Sequence, residues 1–192
     1  MAELFESLFS PYGHVLRYPR RAKLTGYEWS LECDLDGSFE FILAKPSIQK
    51  LEMLSFSEFM AFLAGFFDAE GTIILHKKRK SYAPEISISN SERGIIDFIF
   101  IQLRRIGFSA HTIWRRQAED RAGVVGKSLV GRVVVWKFEE VLRFIGLLKL
   151  RHREKVAKAS LVLGIRHGCY EDENDVVARW KELKATTSFS SS

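Results

Sequence analysis

The pattern of apolar and polar residues predicts helices and strands along most of the chain. Residues 57–70 are apolar almost all round, which indicates a buried helix, and Gly71 is placed to end it. Ser57 is a candidate N-cap, with Glu58 in the first turn. Later segments alternate with period two or show helical periodicity. The predicted elements are a helix at 57–70, strands at 72–80 and 81–90, a helix at 91–106 between a Ser91 cap and Gly107, strands at 108–117 and 129–137, and helices at 138–148, 151–165 and 175–184.

This order of elements is typical of an α+β fold with helices on one face of an antiparallel sheet. Within the strands, alternate residues share a face, and Ile73, Leu75, Ile86 and Ile88 are predicted to point toward the helices. The opposite face is then mostly polar or basic. Its predicted members are Thr72, Ile74, His76, Lys78, Lys80, Glu85, Ser87, Ser89 and Arg132, together with Arg115 or Arg116.

Residues 1–55 precede these elements and have a different pattern. Residues 29–43 alternate on both sides of Asp36-Gly37, which predicts a β-hairpin. Residues 11–13 and 18–21 are predicted as loops, and residues 48–54 as a short helix. The favoured role of the hairpin is to close one side of the core or of a dimer. The alternative is a DNA-contacting extension that uses basic residues, namely Arg17, Arg20, Arg21 and Lys23.

Composition and charge restrict the class of protein. The 192 residues can form one sizeable core, and 46% hydrophobic with 28% charged residues is an ordinary globular balance. The net charge of +5 is modest, but basic residues cluster at 77–80, 115–116 and 149–158, as a polyanion-binding surface requires. Two cysteines are too few for a disulfide framework, and no apolar run predicts a membrane span or a signal peptide. A cytoplasmic, reducing setting is therefore expected, with an organelle left open.

The helix at 57–70 carries the residues most suggestive of function. Ala61, Ala64 and Gly65 are small residues at helical spacing, which would let another helix approach closely. Asp68 and Glu70 lie at the C-terminal end, where burial and the negative end of the helix dipole both disfavour a carboxylate. Such acids are costly there unless a cation is nearby.

The nine residues Leu63-Ala64-Gly65-Phe66-Phe67-Asp68-Ala69-Glu70-Gly71 resemble the signature of the LAGLIDADG homing endonucleases. Apolar residues differ at the fourth and fifth places, and Glu replaces Asp at the eighth. Residues 57 to about 166 also resemble the αββαββα core of that family, in which an antiparallel saddle-shaped sheet binds DNA. One signature per chain implies the homodimeric branch, in which the signature helix packs against its two-fold mate through Ala61, Ala64 and Gly65.

The resemblance also implies roles at the catalytic site. Glu70 would bind divalent metal, expected to be Mg²⁺, with the Ala69 backbone carbonyl as a further ligand and Asp68 as a less favoured one. Hydrogen bonding at the helix end is the preferred role for Asp68. Asn90 would hold the attacking water, with a plain turn role equally weighted. Lys149 and Arg151 match the basic segment that supports the scissile phosphate.

The resulting interpretation is a metal-dependent, site-specific double-strand DNA endonuclease, encoded in a mobile intron and acting as a homodimer on a partly palindromic target. An intron RNA maturase and a non-cleaving DNA-binding regulator are the alternatives, and an intact Glu70 argues against the regulator. Double-stranded DNA and a second copy of the chain are the expected partners, without membrane or organic cofactor. The predicted domains are an extension at 1–55, the endonuclease core at 56–168, and a C-terminal helix and tail at 169–192.

Overall fold

The computed structural model describes residues 2–22, 26–37, 47–77, 82–116, 129–166 and 173–189. The chain forms two compact units, one of residues 1–46 with 182–192 and one of residues 47–181. The described elements are α1 (Ala2–Phe9), β1 (Val15–Ala22), β2 (Gly26–Cys33), α2 (Ile48–Glu52), α3 (Phe56–Glu70), β3 (Gly71–Lys77), β4 (Tyr82–Asn90), α4 (Arg93–Arg105), β5 (His111–Arg116), β6 (Leu129–Val135), α5 (Phe138–Leu147), α6 (Arg153–Arg166) and α7 (Glu173–Phe189). No described helix is long and apolar enough to cross a membrane.

The first unit contains an antiparallel ladder of β1 and β2, in which Val15 pairs with Cys33 and Ala22 with Gly26. The prediction of a loop at 18–21 is wrong, because these residues lie within β1. In the described sheet each of the two strands keeps one unpaired edge, and an edge strand tolerates a proline such as Pro19. The hairpin predicted around Asp36-Gly37 has its first strand in β2, and its second half, at 38–43, lies outside the described residues.

The second unit contains a four-stranded antiparallel sheet in the order β3-β4-β6-β5. From α3 to α5 the elements follow the order αββαββα, which confirms the predicted α+β fold. One face of the sheet is apolar and buried, with Ile73, Ile86, Ile88 and Val133 each at most 1% exposed. The predicted division of the strands into an apolar and a mostly polar face therefore agrees with the fold.

Two helix starts differ from the prediction for local reasons. Helix α3 is capped by Ser55 rather than Ser57, since Ser55 and Glu58 form a capping box in which each side chain bonds the backbone N–H of the other. Helix α4 has no side-chain cap from Ser91 and begins two residues later. Its C-terminal end is as predicted, with Gly107 in the left-handed region at φ 84°.

Aromatic rings link the helix α3 to the rest of the core. The Phe67 ring packs edge-on against Phe144 of α5, with 5.4 Å between centroids, and Phe144 in turn packs against Phe108. Gly71 lies directly under the Phe67 ring, and a Cβ atom at this position would overlap that ring. The final glycine of the signature is therefore required by close packing at the junction of α3 and β3.

Candidate functional site

The two acids of the signature have different environments at the end of α3. The Asp68 carboxylate accepts hydrogen bonds from the backbone N–H groups of Arg151, at 2.8 Å, and His152, at 3.3 Å. Both of its oxygens are thus used to fix the segment that leads into α6. Glu70 is exposed, as is the neighbouring Ala69. The geometry favours the helix-end role for Asp68 and leaves Glu70 accessible to a ligand.

A buried lysine that sequence reasoning missed holds the end of α3. The Lys155 ammonium lies 2.6 Å from the carbonyl oxygens of both Phe67 and Asp68, and it is 5.5 Å from the centroid of the Phe67 ring. A cation at this point complements the negative end of the helix dipole. Burial lowers the pKa of Lys155, and the negative charges of Asp68, Glu154 and Glu70 act in the opposite direction.

The predicted basic residues Lys149 and Arg151 are both exposed and lie just before α6. Arg151 is brought to the end of α3 through its backbone bond to Asp68. Lys155 belongs to the same basic run at 149–158, and nothing in that run marks it as the residue that reaches α3.

The open face of the sheet carries most of the predicted DNA-contacting positions. Thr72 pairs with Ser87, Ile74 with Glu85, and Ser89 with Arg132, so these residues share one face. Arg115 pairs with Val130 on this same face, whereas Arg116 pairs with Leu129 on the other. Lys78 and Lys80 lie outside the described residues.

A polar network crosses three strands on the open face. His76 Nε2 is 3.1 Å from Glu85 Oε2, and the other oxygen of Glu85 accepts a hydrogen bond from the Arg132 guanidinium. Arg132 Nε also donates to the hydroxyl of Ser87, which is 4% exposed. Glu85 is therefore engaged by His76 and Arg132 on its own sheet, and Arg132 is held in place by two acceptors.

Asn90 is engaged in a local turn at the end of β4. Its side-chain oxygen accepts a hydrogen bond of 2.8 Å from the backbone N–H of Glu92. This contact orders the connection from β4 to α4, where Ser91 had been expected to act. It favours the turn role for Asn90 over the water-holding role.

The small residues of α3 fall on two sides of the helix. Ala61 and Gly65 are exposed, and a Cβ atom built on Gly65 meets nothing within 4 Å. Ala64 is instead buried, at 8% exposure, against the core of its own chain. Ala61, Gly65 and Ala69 therefore form an exposed stripe of small residues that runs along α3 to Glu70.

The donor set at the end of α3 suits a hard divalent cation. Within the described ranges, no group of three or more His, Cys, Asp or Glu side chains is placed to hold a metal ion. Mg²⁺ is commonly bound through one or two carboxylates, with waters and substrate phosphates as further ligands. Glu70 and the Ala69 carbonyl are oxygen donors of the required type, so these residues fit a Mg²⁺ ion.

We predict that Lys155→Met destabilises the protein by about 2 kcal/mol, because it removes a cation from the negative end of the helix dipole and one donor from the carbonyl groups of Phe67 and Asp68. The difference is measured by urea unfolding of both proteins.

Because the folded-state pKa of Lys155 is lowered, the unfolded state binds more protons at alkaline pH below 10.5. The free energy of unfolding of the wild type should therefore increase relative to that of the variant as pH rises through this range. Equal stability of Lys155→Met and wild type would contradict the role of Lys155.

Comparison with known proteins finds a family model that matches part of the chain. The model of the LAGLIDADG-like domain matches residues 58–144. No curated protein matches the chain. Among solved structures, a mutant of I-SmaMI aligns with a TM-score of 0.50 at 11% identity, over 96% of this chain and 81% of that one. This similarity concerns the fold.

Two further structures align with lower TM-scores. The archaeal intron-encoded homing endonuclease I-Vdi141I, complexed with DNA, aligns with a TM-score of 0.49 at 17% identity, over 68% of this chain and 85% of that one. The homing endonuclease I-CvuI, in complex with DNA in the presence of Mg, aligns with a TM-score of 0.38 at 20% identity, over 55% and 64%. The resemblance to the LAGLIDADG family is confirmed: residues 58–144 of this chain form a LAGLIDADG-like domain.

Proposed function

We propose that the protein is a site-specific endonuclease that hydrolyses phosphodiester bonds of double-stranded DNA. The observation that carries the proposal is the exposed Glu70 carboxylate, at the point where the signature helix meets the first strand of a sheet with a polar open face. The LAGLIDADG-like domain supports the same activity. That the protein is encoded within an intron stays a prediction.

Each group at the end of α3 has a chemical task in this proposal. Glu70, with the Ala69 carbonyl, would hold a divalent metal ion, expected to be Mg²⁺. When bound, such an ion lowers the pKa of a coordinated water and stabilises charge on phosphate oxygens. Lys155 and Asp68 position the end of the helix, and the exposed Lys149 and Arg151 side chains provide positive charge for a phosphate.

A homodimer is the proposed active form. The exposed stripe of Ala61, Gly65 and Ala69 leads to Glu70, so a two-fold contact along it would bring two Glu70 carboxylates beside the symmetry axis. Small side chains let helix backbones approach closely, and an isologous contact uses the same patch on both copies. A symmetric pair of protomers would then act on a partly palindromic target.

Recognition of the DNA is proposed to use the open face of the sheet. A β-ribbon fits the major groove, where each base pair presents its own pattern of donors and acceptors. An arginine has five N–H donors, and Arg132 uses two of them on Ser87 and Glu85. The remaining donors suit guanine, for which arginine is the commonest specific partner. Glu85 is assigned a positioning role, in place of the direct contact to cytosine that its charge alone would suggest.

The catalytic assignment predicts that Glu70→Gln reduces cleavage of the native target by more than about 100-fold, because even an outer-shell partner of a metal ligand is worth about 10–100-fold. DNA binding should persist, since the sheet is unchanged. Cleavage and gel-shift assays with Mg²⁺ measure the two effects, and Glu52→Gln, at an exposed acid on α2, is the control. Substantial cutting by Glu70→Gln would refute the assignment.

The assembly predicts that Gly65→Leu separates the protomers, since the new side chain would stand between the two helices. Sedimentation should give twice the chain mass of 22.1 kDa for the wild type and a large monomer fraction for the variant. Gly146→Leu is a matched control, because Gly146 is also an exposed helical glycine with open space around its Cβ position. A wild-type monomer that cuts both strands in one encounter would overturn the dimer.

The recognition model predicts that Glu85→Ala and Arg132→Ala alter base preference at the same symmetric pair of positions. If Glu85 acts through Arg132, the double variant should have the profile of Arg132→Ala alone. The loss of discrimination should be about 1–3 kcal/mol at those positions. Profiling of a library of target variants measures it. A change at a different position in Glu85→Ala would show that Glu85 contacts a base directly.

A further inference from the structure

The β1–β2 ladder of the first unit has one face on which an exposed tryptophan lies beside two arginines. Strand alternation and the pairing of Pro19 with Trp29 put Arg17, Pro19 and Arg21 of β1 on the same face as Trp29 of β2. We call these four residues the arginine face. Trp29 pairs with Pro19, which lies between Arg17 and Arg21 along β1.

The described carboxylate of the β1–β2 ladder lies on the face opposite the arginine face. Glu32 lies on the opposite face, where it accepts hydrogen bonds from the Tyr18 hydroxyl and, at 3.4 Å, from the Ser30 hydroxyl. Arg20 lies on that same opposite face. Among the side chains described on the arginine face, the remaining ones are Val15, Leu31 and Cys33, so this face is positive without a described carboxylate.

The tryptophan is unusually accessible for its size. Trp29 is 57% exposed, and the Arg17 guanidinium lies over its ring at 4.8 Å from the centroid. Pro19 and Trp29 thus form an apolar centre on this face, with Arg17 on one side of it and Arg21 on the other. Such a surface matches a polyanion that also has flat apolar groups to stack.

We propose that the arginine face binds an unpaired nucleic-acid strand. Phosphates would contact Arg17 and Arg21, and a base would stack on Trp29. Aromatic platforms in a positive groove are the usual means of binding single strands, since every base offers a stacking face. A duplex hides those faces within its own stack, so it would leave the tryptophan unused. The residues of this site belong to the first compact unit, and the sheet proposed to bind duplex DNA belongs to the second.

The test uses the full chain and fluorescently labelled oligonucleotides of roughly 15 nucleotides, near the upper site size of a single-strand binding module. The probes are single-stranded RNA, single-stranded DNA and a duplex unrelated to the target. Trp29→Leu should weaken binding of the single strands by about 10-fold, and Trp29→Phe should restore most of it. Removing both arginines, Arg17→Gln with Arg21→Gln, should reduce the slope of log affinity against log salt by about 1.4, because each phosphate contact contributes about 0.7 for single strands.

Arg20→Gln is the matched control, because it removes the same charge from the same strand but from the opposite face. Equal weakening by Arg20→Gln, normal binding by Trp29→Leu, or the same loss on the duplex as on the single strands would each overturn the proposal. Thermal unfolding of each variant shows whether weaker binding comes from the changed arginine face or from an unfolded protein. If Trp29→Leu does not fold, Trp29→Phe and the variant that lacks both Arg17 and Arg21 test the site. Binding of either single-stranded RNA or single-stranded DNA supports the proposal. The preference between the two shows whether the site favours a ribose or a deoxyribose strand.

The same variants distinguish this proposal from the endonuclease assignment. Because Trp29, Arg17 and Arg21 lie outside the residues assigned to cleavage, the variants should cut a short duplex target at the wild-type rate. Failure of Glu70→Gln to stop cleavage would leave the single-strand result intact. Loss of single-strand binding with unchanged cleavage is the expected combination.

Discussion

The arrangement of the site depends on how the C-terminal end of α3 is held. Lys155 reaches from α6 to the carbonyl groups of Phe67 and Asp68, and Asp68 accepts two backbone N–H groups just ahead of α6. In both contacts the donors lie in residues 151–155 and the acceptors lie at the end of α3. A helix end that would otherwise carry uncompensated negative charge is thereby fixed, and Glu70 is the last residue of that helix.

The two acids of the signature show how environment separates the roles of similar groups. Each carboxylate oxygen of Asp68 accepts a backbone N–H from the segment before α6. Glu70, two residues later, is exposed at the start of β3, where Gly71 lets the chain turn beneath the Phe67 ring. Since successive residues at a helix end point in different directions, one acid can serve the fold while the other remains available for chemistry.

The sequence predicted those features that depend on local periodicity. Alternation in β3 and β4 correctly assigned Ile73, Ile86 and Ile88 to the buried face, and the glycine at 107 correctly marked the end of α4. It failed where the outcome depends on partners distant in the chain. Lys155 is far from Phe67 in sequence, and nothing local indicates that its ammonium caps α3. Ser55 could have been identified, because Glu58 follows it at the spacing of a capping box.

The network around Glu85 illustrates the limit of inferring recognition from residue type. An acidic side chain on a DNA-facing strand suggests direct acceptance from cytosine. In the folded sheet, however, strand order places β6 beside β4, and Arg132 then reaches both Glu85 and Ser87. An arginine fixed by two acceptors loses less conformational entropy on binding than a free one. In the proposed recognition the Glu85 carboxylate therefore orients Arg132 and does not contact a base itself. This role depends on strand order, which alternation along a single strand does not reveal.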